Sequence, residues 1–212
     1  MELTKELLEK LALLPSGNVA DSNPNGGVMD PEIRPLDPTL HLIGRAVTVD
    51  CAPGDNLALH QGIEAAGEGD VLVFDCKGYK KGGHFGDMMA NACQVKGIAG
   101  VIINGSCRDA EDIRALKFPV YARALCPAHT VKETLARINV PVCVGDVTVY
   151  PGDLIFGDCD GVVVIHKEDE DSVIPKALEK FEYEKEVIRR LRAGESTMSV
   201  YGFDKLVAAK QK

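Results

Sequence analysis

The chain predicts an α/β fold built around a partly parallel central sheet, and three observations carry that prediction. Between residues 42 and 122, short apolar runs of strand character alternate with amphipathic stretches of helical period. Beyond residue 140 the pattern changes to short strands separated by Pro-Gly-Asp and Asp-Gly turns, which reads as antiparallel β. The 212 residues are 45% apolar, with 21 glycines and no tryptophan, a composition that suits a buried core and excludes a disordered or fibrous chain. A single domain over 1–212 follows, with an N-terminal helix and loop over 1–40, a core over 41–166, and a C-terminal helix and tail over 167–212.

Taken in order, residues 2–14 read as an amphipathic helix that Pro15-Ser16-Gly17 ends. Residues 21–38 carry many Gly, Pro and Asn and are expected to be loop. Residues 42–50 alternate as a strand, 56–66 read as a helix, and 71–75 form a short apolar strand. A helix is expected over 87–96, with apolar residues at Met88, Met89, Ala92, Cys93 and Val95 and with Asp87 where an N-cap belongs. A buried strand over 98–103, a short helix over 109–117 and a strand over 119–122 complete the alternation. Four short strands follow, over 142–144, 147–149, 154–157 and 162–166. Residues 167–192 form a charged helix closed by Ala193-Gly194, and a tail completes the chain.

Charge and cysteine usage narrow the function. A formal net charge of −8 argues against a nucleic-acid binder with a basic face, although Lys77, Lys80 and Lys81 form a local basic group. The seven cysteines show neither CxxC pairs nor zinc spacing and read as reduced thiols. The N-terminus lacks the basic start and apolar core of a signal peptide, and no run approaches the roughly 20 apolar residues of a membrane span. A soluble, cytoplasmic protein without a membrane partner is the expectation.

The chemistry concentrates in 82–109, where two loop-to-helix junctions, Gly86-Asp87 and Arg108-Asp109, are separated by one helix and one strand. In a parallel sheet such junctions converge at one edge. Asp109 suits a hard divalent cation with water completing its shell, or serves as the N-cap of its helix. Arg108 suits a bidentate contact to a carboxylate, or a surface ion pair. Asp87 either orients a water and accepts a proton or caps its helix, in a loop whose backbone N–H groups can meet an anion. His84 is an acid–base candidate of a kind more often found solvated. Cys107 has no histidine placed beside it, and Asp158 and Asp160 read as turn residues. Neither GxGxxG nor GxxxxGK[ST] occurs, which counts against a nucleotide-binding methyltransferase.

Four blocks carry a resemblance: GDNLALHQGIEAAGEGDVLVFD at 54–75, GGxxGD at 82–87, GxxGVIINGxxRD at 97–109 and VYPGDLIFGDCDGVVVIH at 149–166. A fainter echo lies at 194–197 and at Tyr201-Gly202. Together they resemble the family of regulator of ribonuclease activity A and the 4-hydroxy-4-methyl-2-oxoglutarate aldolases. The resemblance implies a swivelling β/β/α-type fold, assembly as a homotrimer or dimer of trimers with sites at subunit interfaces, and, in the catalytic members, Mg2+ or Mn2+ and a small 2-oxo acid substrate. Carried over, Asp109 is the metal ligand and Arg108 holds the pyruvyl unit. Gly86, Asp87, Met88 and Met89 form the loop whose amides meet the substrate carboxylate, and Asp87 positions a catalytic water. The implied activity is a class II pyruvate aldolase with oxaloacetate decarboxylase activity; the alternative is a non-enzymatic regulator that binds ribonuclease E. A Schiff-base route through Lys80, Lys81 or Lys96 ranks below the metal, because none lies in an apolar run. Glu32, in the Asn- and Gly-rich 21–35 stretch, is an acid that a neighbouring subunit's site could receive.

Overall fold

The computed structural model describes residues 3–211. Two short helices open the chain, α1 (Lys5–Leu11) and α2 (Ser16–Ser22). The single helix expected over 2–14 is thus shorter, and Glu2 lies outside the described residues. The first helix stops at Leu11 with Ala12 as its C-cap, ahead of Pro15-Ser16-Gly17; Pro15 instead starts the second, because its φ of −66° suits a helix entry. The expected loop then runs on, interrupted only by the two-residue strand β1 (Arg34–Pro35).

The core is the expected alternation: β2 (Leu42–Asp50), α3 (Leu57–Ala65), β3 (Asp70–Phe85), α4 (Asp87–Val95), β4 (Gly100–Cys107), α5 (Ala110–Ala115) and β5 (Val120–Leu125). The strands β2, β3, β4 and β5 pair in parallel and in sequence order. Every residue of β4 is buried, which is why its first half, residues 100–103, is a continuous apolar run rather than an alternating one. Full burial of Val101, Ile102 and Ile103 stabilises by ~2 kcal/mol per side chain.

The strand expected to stop at Asp75 continues to Phe85. Lys77 and Gly78 both take positive φ, 57° and 69°, and shift the register. Pairing resumes at Tyr79 with Gly105, Gly83 with Ser106 and Phe85 with Cys107. Such a bulge breaks the period of two, and it brings Lys77 between Asp50 and Asp75, to which it is ion-paired.

The remaining elements are β6 (Arg137–Ile138), β7 (Val142–Val144), β8 (Val147–Val149), β9 (Leu154–Gly157), β10 (Val162–Ile165), α6 (Glu170–Arg192), α7 (Thr197–Val200) and α8 (Phe203–Lys210). The main sheet runs β1-β5-β4-β3-β2-β9-β10, with β6 also on β2 and with β9 and β10 antiparallel. The β7–β8 hairpin is a separate small sheet.

Three apolar clusters show the layering. On one face of the sheet, Phe74, Ile103 and Val120 pack with Leu59 and Ile63 of α3, Ala90 and Cys93 of α4, and Ile113 of α5. On the other, Val73, Ile102 and Tyr121 pack with Val142, Val144 and Val149 of the hairpin. A third cluster joins Leu11, Val19, Val173 and Ala177 of the terminal helices to Phe156 and Val163 of β9 and β10. The result is a mixed α/β fold with a partly parallel sheet between a helical layer and a small β layer.

Candidate active site

The parallel strands all end at one edge, and the residues that follow each of them meet there. After β2 comes Asn56 at the start of α3; after β3, Gly86 and α4; after β4, Arg108 and Asp109; after β5, the irregular segment 126–134. A cleft of about 150 Å3 lies between them, with Asn56, Gly86, Asp87, Arg108, Asp109 and Lys132 in its walls. All six residues proposed from the sequence, namely Gly86, Asp87, Met88, Met89, Arg108 and Asp109, lie on this cleft.

Asp109 occupies the N-cap position of α5, yet its side chain does not cap that helix. Its backbone is left-handed, φ 56° and ψ 38°, a conformation Asp tolerates better than most residues. The carboxylate is thereby turned toward the neighbouring helix: Oδ2 stands 3.4 Å from the Asp87 backbone N–H and 3.4 Å from Nε of Arg108. The plain-cap alternative therefore fails for Asp109. It fails for Asp87 too, because the N-cap of α4 is Gly86 and Asp87 is the first helical residue.

The start of α4 offers backbone donors to the cleft. The N–H groups of Met88 and Met89, in the first turn, have no intrahelical acceptor, and the helix dipole adds partial positive charge. Met88 is exposed and Met89 buried, so that only the backbone of Met89 reaches this turn. Glycine at 86 keeps the approach open: a Cβ there would lie 2.5 Å from Asp109 Oδ2. Glycine at 83 does the same for the arginine, since a Cβ would meet the Cys126 carbonyl oxygen at 2.5 Å and the Cβ of Arg108 at 2.9 Å. The Arg108 stem thus rests on bare backbone, and its own N–H donates to the Phe85 carbonyl at 2.9 Å.

Three cleft residues, Asn56, His60 and Lys132, lie outside the sequence reading. Asn56 is at the N-cap of α3 but donates from Nδ2 to the His84 carbonyl at 3.2 Å, and its buried Oδ1 has no protein partner among the described residues. Lys132 stands in the 126–134 segment, which Asp55 holds through N–H bonds from Glu133 at 2.8 Å and Thr134 at 2.7 Å. The GDN run at 54–56 was the available signal for Asn56; Lys132 had none, since its surroundings show no period.

Other candidates resolve differently. His84 is fully buried: Nε2 accepts from the Gly54 N–H at 3.1 Å, so Nδ1 carries the proton toward the Ser106 carbonyl at 3.3 Å. Burial keeps it neutral, with its pKa lowered, and it supports the cleft floor rather than exchanging protons with solvent. Burial pushes the Cys107 thiol up to about 12, so it holds no thiolate. Glu32 is engaged within its own chain by Lys80 at 2.6 Å and Arg123 at 3.0 Å. Lys96 donates to the Ile63 and Glu64 carbonyls at the end of α3, away from the cleft, as are Lys80 and Lys81. Asp158 spends its oxygens on Ser16 and on the Asp160 N–H.

The cleft thus lies where the parallel strand ends of an α/β sheet gather a carboxylate, a guanidinium and a helix N-terminus. The chain belongs to the Aldolase/RraA family, described as RraA-like, whose profile matches residues 16–164. It is 36% identical over 175 residues to a protein of Halalkalibacterium halodurans provisionally named 4-hydroxy-4-methyl-2-oxoglutarate aldolase, covering 82% of this chain and 83% of that protein. Among solved structures it resembles an uncharacterised protein of Pseudomonas syringae pv. tomato, with a TM-score of 0.86 at 23% identity over 96% of both chains, a likeness of fold alone. It also resembles the RNA-processing inhibitor RraA of Thermus thermophilis, with a TM-score of 0.66 at 28% identity, covering 71% of this chain and 92% of that one. Among the described residues no helix is long and apolar enough to cross a membrane.

Proposed function

We propose that this protein is a divalent-metal-dependent class II aldolase that cleaves 4-hydroxy-2-oxo acids such as 4-hydroxy-4-methyl-2-oxoglutarate to pyruvate, and that decarboxylates oxaloacetate at the same site. The observation that carries the reading is the Asp109 carboxylate, turned away from its own helix toward Arg108 and the start of α4. One carboxylate in a cleft roomy enough for water suits Mg2+ or Mn2+, which keep several waters, and Gly86 leaves its oxygen uncovered. When bound there, the cation supplies Lewis acidity to the 2-oxo group.

The chain's own residues account for the rest. The first-turn amides of α4 receive the C1 carboxylate, and the Arg108 guanidinium faces the 2-oxo oxygen. Cleavage of the C3–C4 bond leaves its electron pair on pyruvate as an enolate, whose new charge Arg108 stabilises more than the ground state. The proton of the C4 hydroxyl goes to a water held by Asp87, and a proton returned to C3 completes pyruvate. Loss of CO2 from oxaloacetate generates the same enolate. Lys132, across the cleft, meets the second carboxylate of such diacids. We place assembly as a homotrimer or dimer of trimers, and the cytoplasm, within the same proposal.

Pyruvate release, coupled to lactate dehydrogenase and corrected for metal-catalysed decarboxylation, tests the reading. Turnover should require Mg2+ or Mn2+, vanish with EDTA, and fall at least ~100-fold in Asp109→Asn, which keeps the left-handed backbone tolerable while removing the charge. Full activity in that variant would exclude Asp109 as the ligand. The kinship with the Thermus inhibitor favours a second reading, a regulator that binds ribonuclease E. Absence of turnover in wild type, with ribonuclease E capture unaffected by EDTA, would establish that one instead.

A further inference from the structure

Beside this cleft the sheet edge presents a second group of guanidiniums. β1 covers β5 only opposite Tyr121 and Ala122, so from Arg123 onward the edge opens into a cavity of about 220 Å3. Arg34 enters it from β1, Arg114 from α5 and Arg123 from β5, and Glu32 is the one carboxylate in its lining. Three cations against one anion leave the lining at +2 in a chain whose net charge is −8.

The arginines are oriented mainly by neutral acceptors. Arg34 donates through Nη1 to the Asp160 carbonyl at 3.1 Å, and Arg114 through Nε to the Leu36 carbonyl at 2.8 Å. Each bond uses one of the five N–H donors of a guanidinium and fixes its direction without neutralising it. Arg123, nearly buried, donates through Nε to Asn104 Oδ1 at 2.6 Å and through Nη1 to Asp30 and Glu32 at 3.0 Å. The Glu32 charge is already matched by Lys80 at 2.6 Å. Arg34 and Arg114 both face the same cavity, and planar forks fit oxyanions in two-point contact.

We propose that this cavity binds a small oxyanion of two negative charges, a phosphate or a dicarboxylate, between Arg34 and Arg114. The site is separate from the one at Arg108. Leu125 is a wall common to it and to the recess lined by Arg108 and Asp109, and Arg114 stands on the helix that Asp109 begins. The inference is independent of the proposed reaction, because binding rather than turnover is what the test reads.

The test is calorimetric titration of the full chain, metal-free and at low salt, with inorganic phosphate and separately with succinate. Arg108→Gln should retain a binding site. In Arg34→Gln/Arg114→Gln the affinity of that site should fall at least tenfold, and the anion that binds wild type more tightly names the source. Because Arg114 also holds Leu36, Arg34→Gln alone serves as the milder variant, with a severalfold loss at unchanged Tm. Wild-type affinity in the double variant, or loss of all binding in Arg108→Gln, would overturn the proposal.

Discussion

Single residues decide the candidate site through backbone as much as through side chain. Gly86→Ala places a methyl group 2.5 Å from Asp109 Oδ2, the mobile end of a side chain that can swing aside. The variant should therefore fold with a Tm close to wild type and lose most of its turnover, a separation that a melting curve and the pyruvate assay read together. Gly83→Ala differs, because the obstacle there is the Cys126 backbone carbonyl. His84 supplies part of the pH dependence. Its folded pKa is lowered by burial, so below the ordinary value of 6.5 the unfolded chain takes up a proton that the folded chain refuses. The contribution to stability is complete above pH 6.5 and is lost as pH falls below it. Urea unfolding between pH 7.5 and 5 should show that slope, and it should flatten in part in His84→Gln and in part in His60→Gln, whose pKa is lowered as well, by partial burial and by Lys132.

At the scale of elements, the segment after β5 takes the place of a helix. Asp55 accepts N–H bonds from Leu57, Glu133 and Thr134, and thereby ties the start of α3 to the segment that carries Lys132. Burial raises the Asp55 pKa, but these three donors outweigh it and leave the carboxyl below its usual range. Asp55→Ala leaves buried N–H groups unpaired and should cost about 1–3 kcal/mol. It should also raise KM for a diacid more than it lowers kcat, because Lys132 loses its place while Asp109 keeps its own; an unchanged KM would separate Lys132 from substrate binding. These contacts also show what the sequence made legible. Arg108 and Asp109 stand where an apolar strand meets a helix, a boundary that local periodicity marks. Lys132 owes its position to the bonds that its neighbours Glu133 and Thr134 make to Asp55, 78 and 79 residues away in sequence, which no local pattern encodes. Likewise local periodicity ends β3 at Asp75, because the Lys77-Gly78 bulge and the glycines after it disguise a strand that only pairing with β4 completes.

For the whole molecule, the βαβ alternation is legible because β4 is buried on both faces, β2 alternates, and α3, α4 and α5 each bury one side. The division of the antiparallel strands was not: β9 and β10 extend the main sheet while β7 and β8 form their own, a choice made by partners rather than by pattern. The outer surface carries exposed apolar side chains on two separate helices. Met88 and Val95 of α4 are exposed, and α8 exposes Phe203, Leu206 and Val207 without a buried residue. Such faces call for a partner. Sedimentation velocity should report a trimer or hexamer of the 22.8 kDa chain, and a monomer at micromolar concentration would remove the interface part of the proposed function.

The wall formed by 126–134 is fastened along its length. The Cys126 N–H donates to Cys107, Gly83 donates to the Ala128 carbonyl, Val131 exchanges bonds with Gly54 and Asn56, and Asp55 holds the far end. A segment tied at so many points is ill suited to act as a lid. Ligand entry should then be ungated: association should show a single phase, speed up as ionic strength is lowered, and reach no plateau set by loop opening as ligand concentration rises.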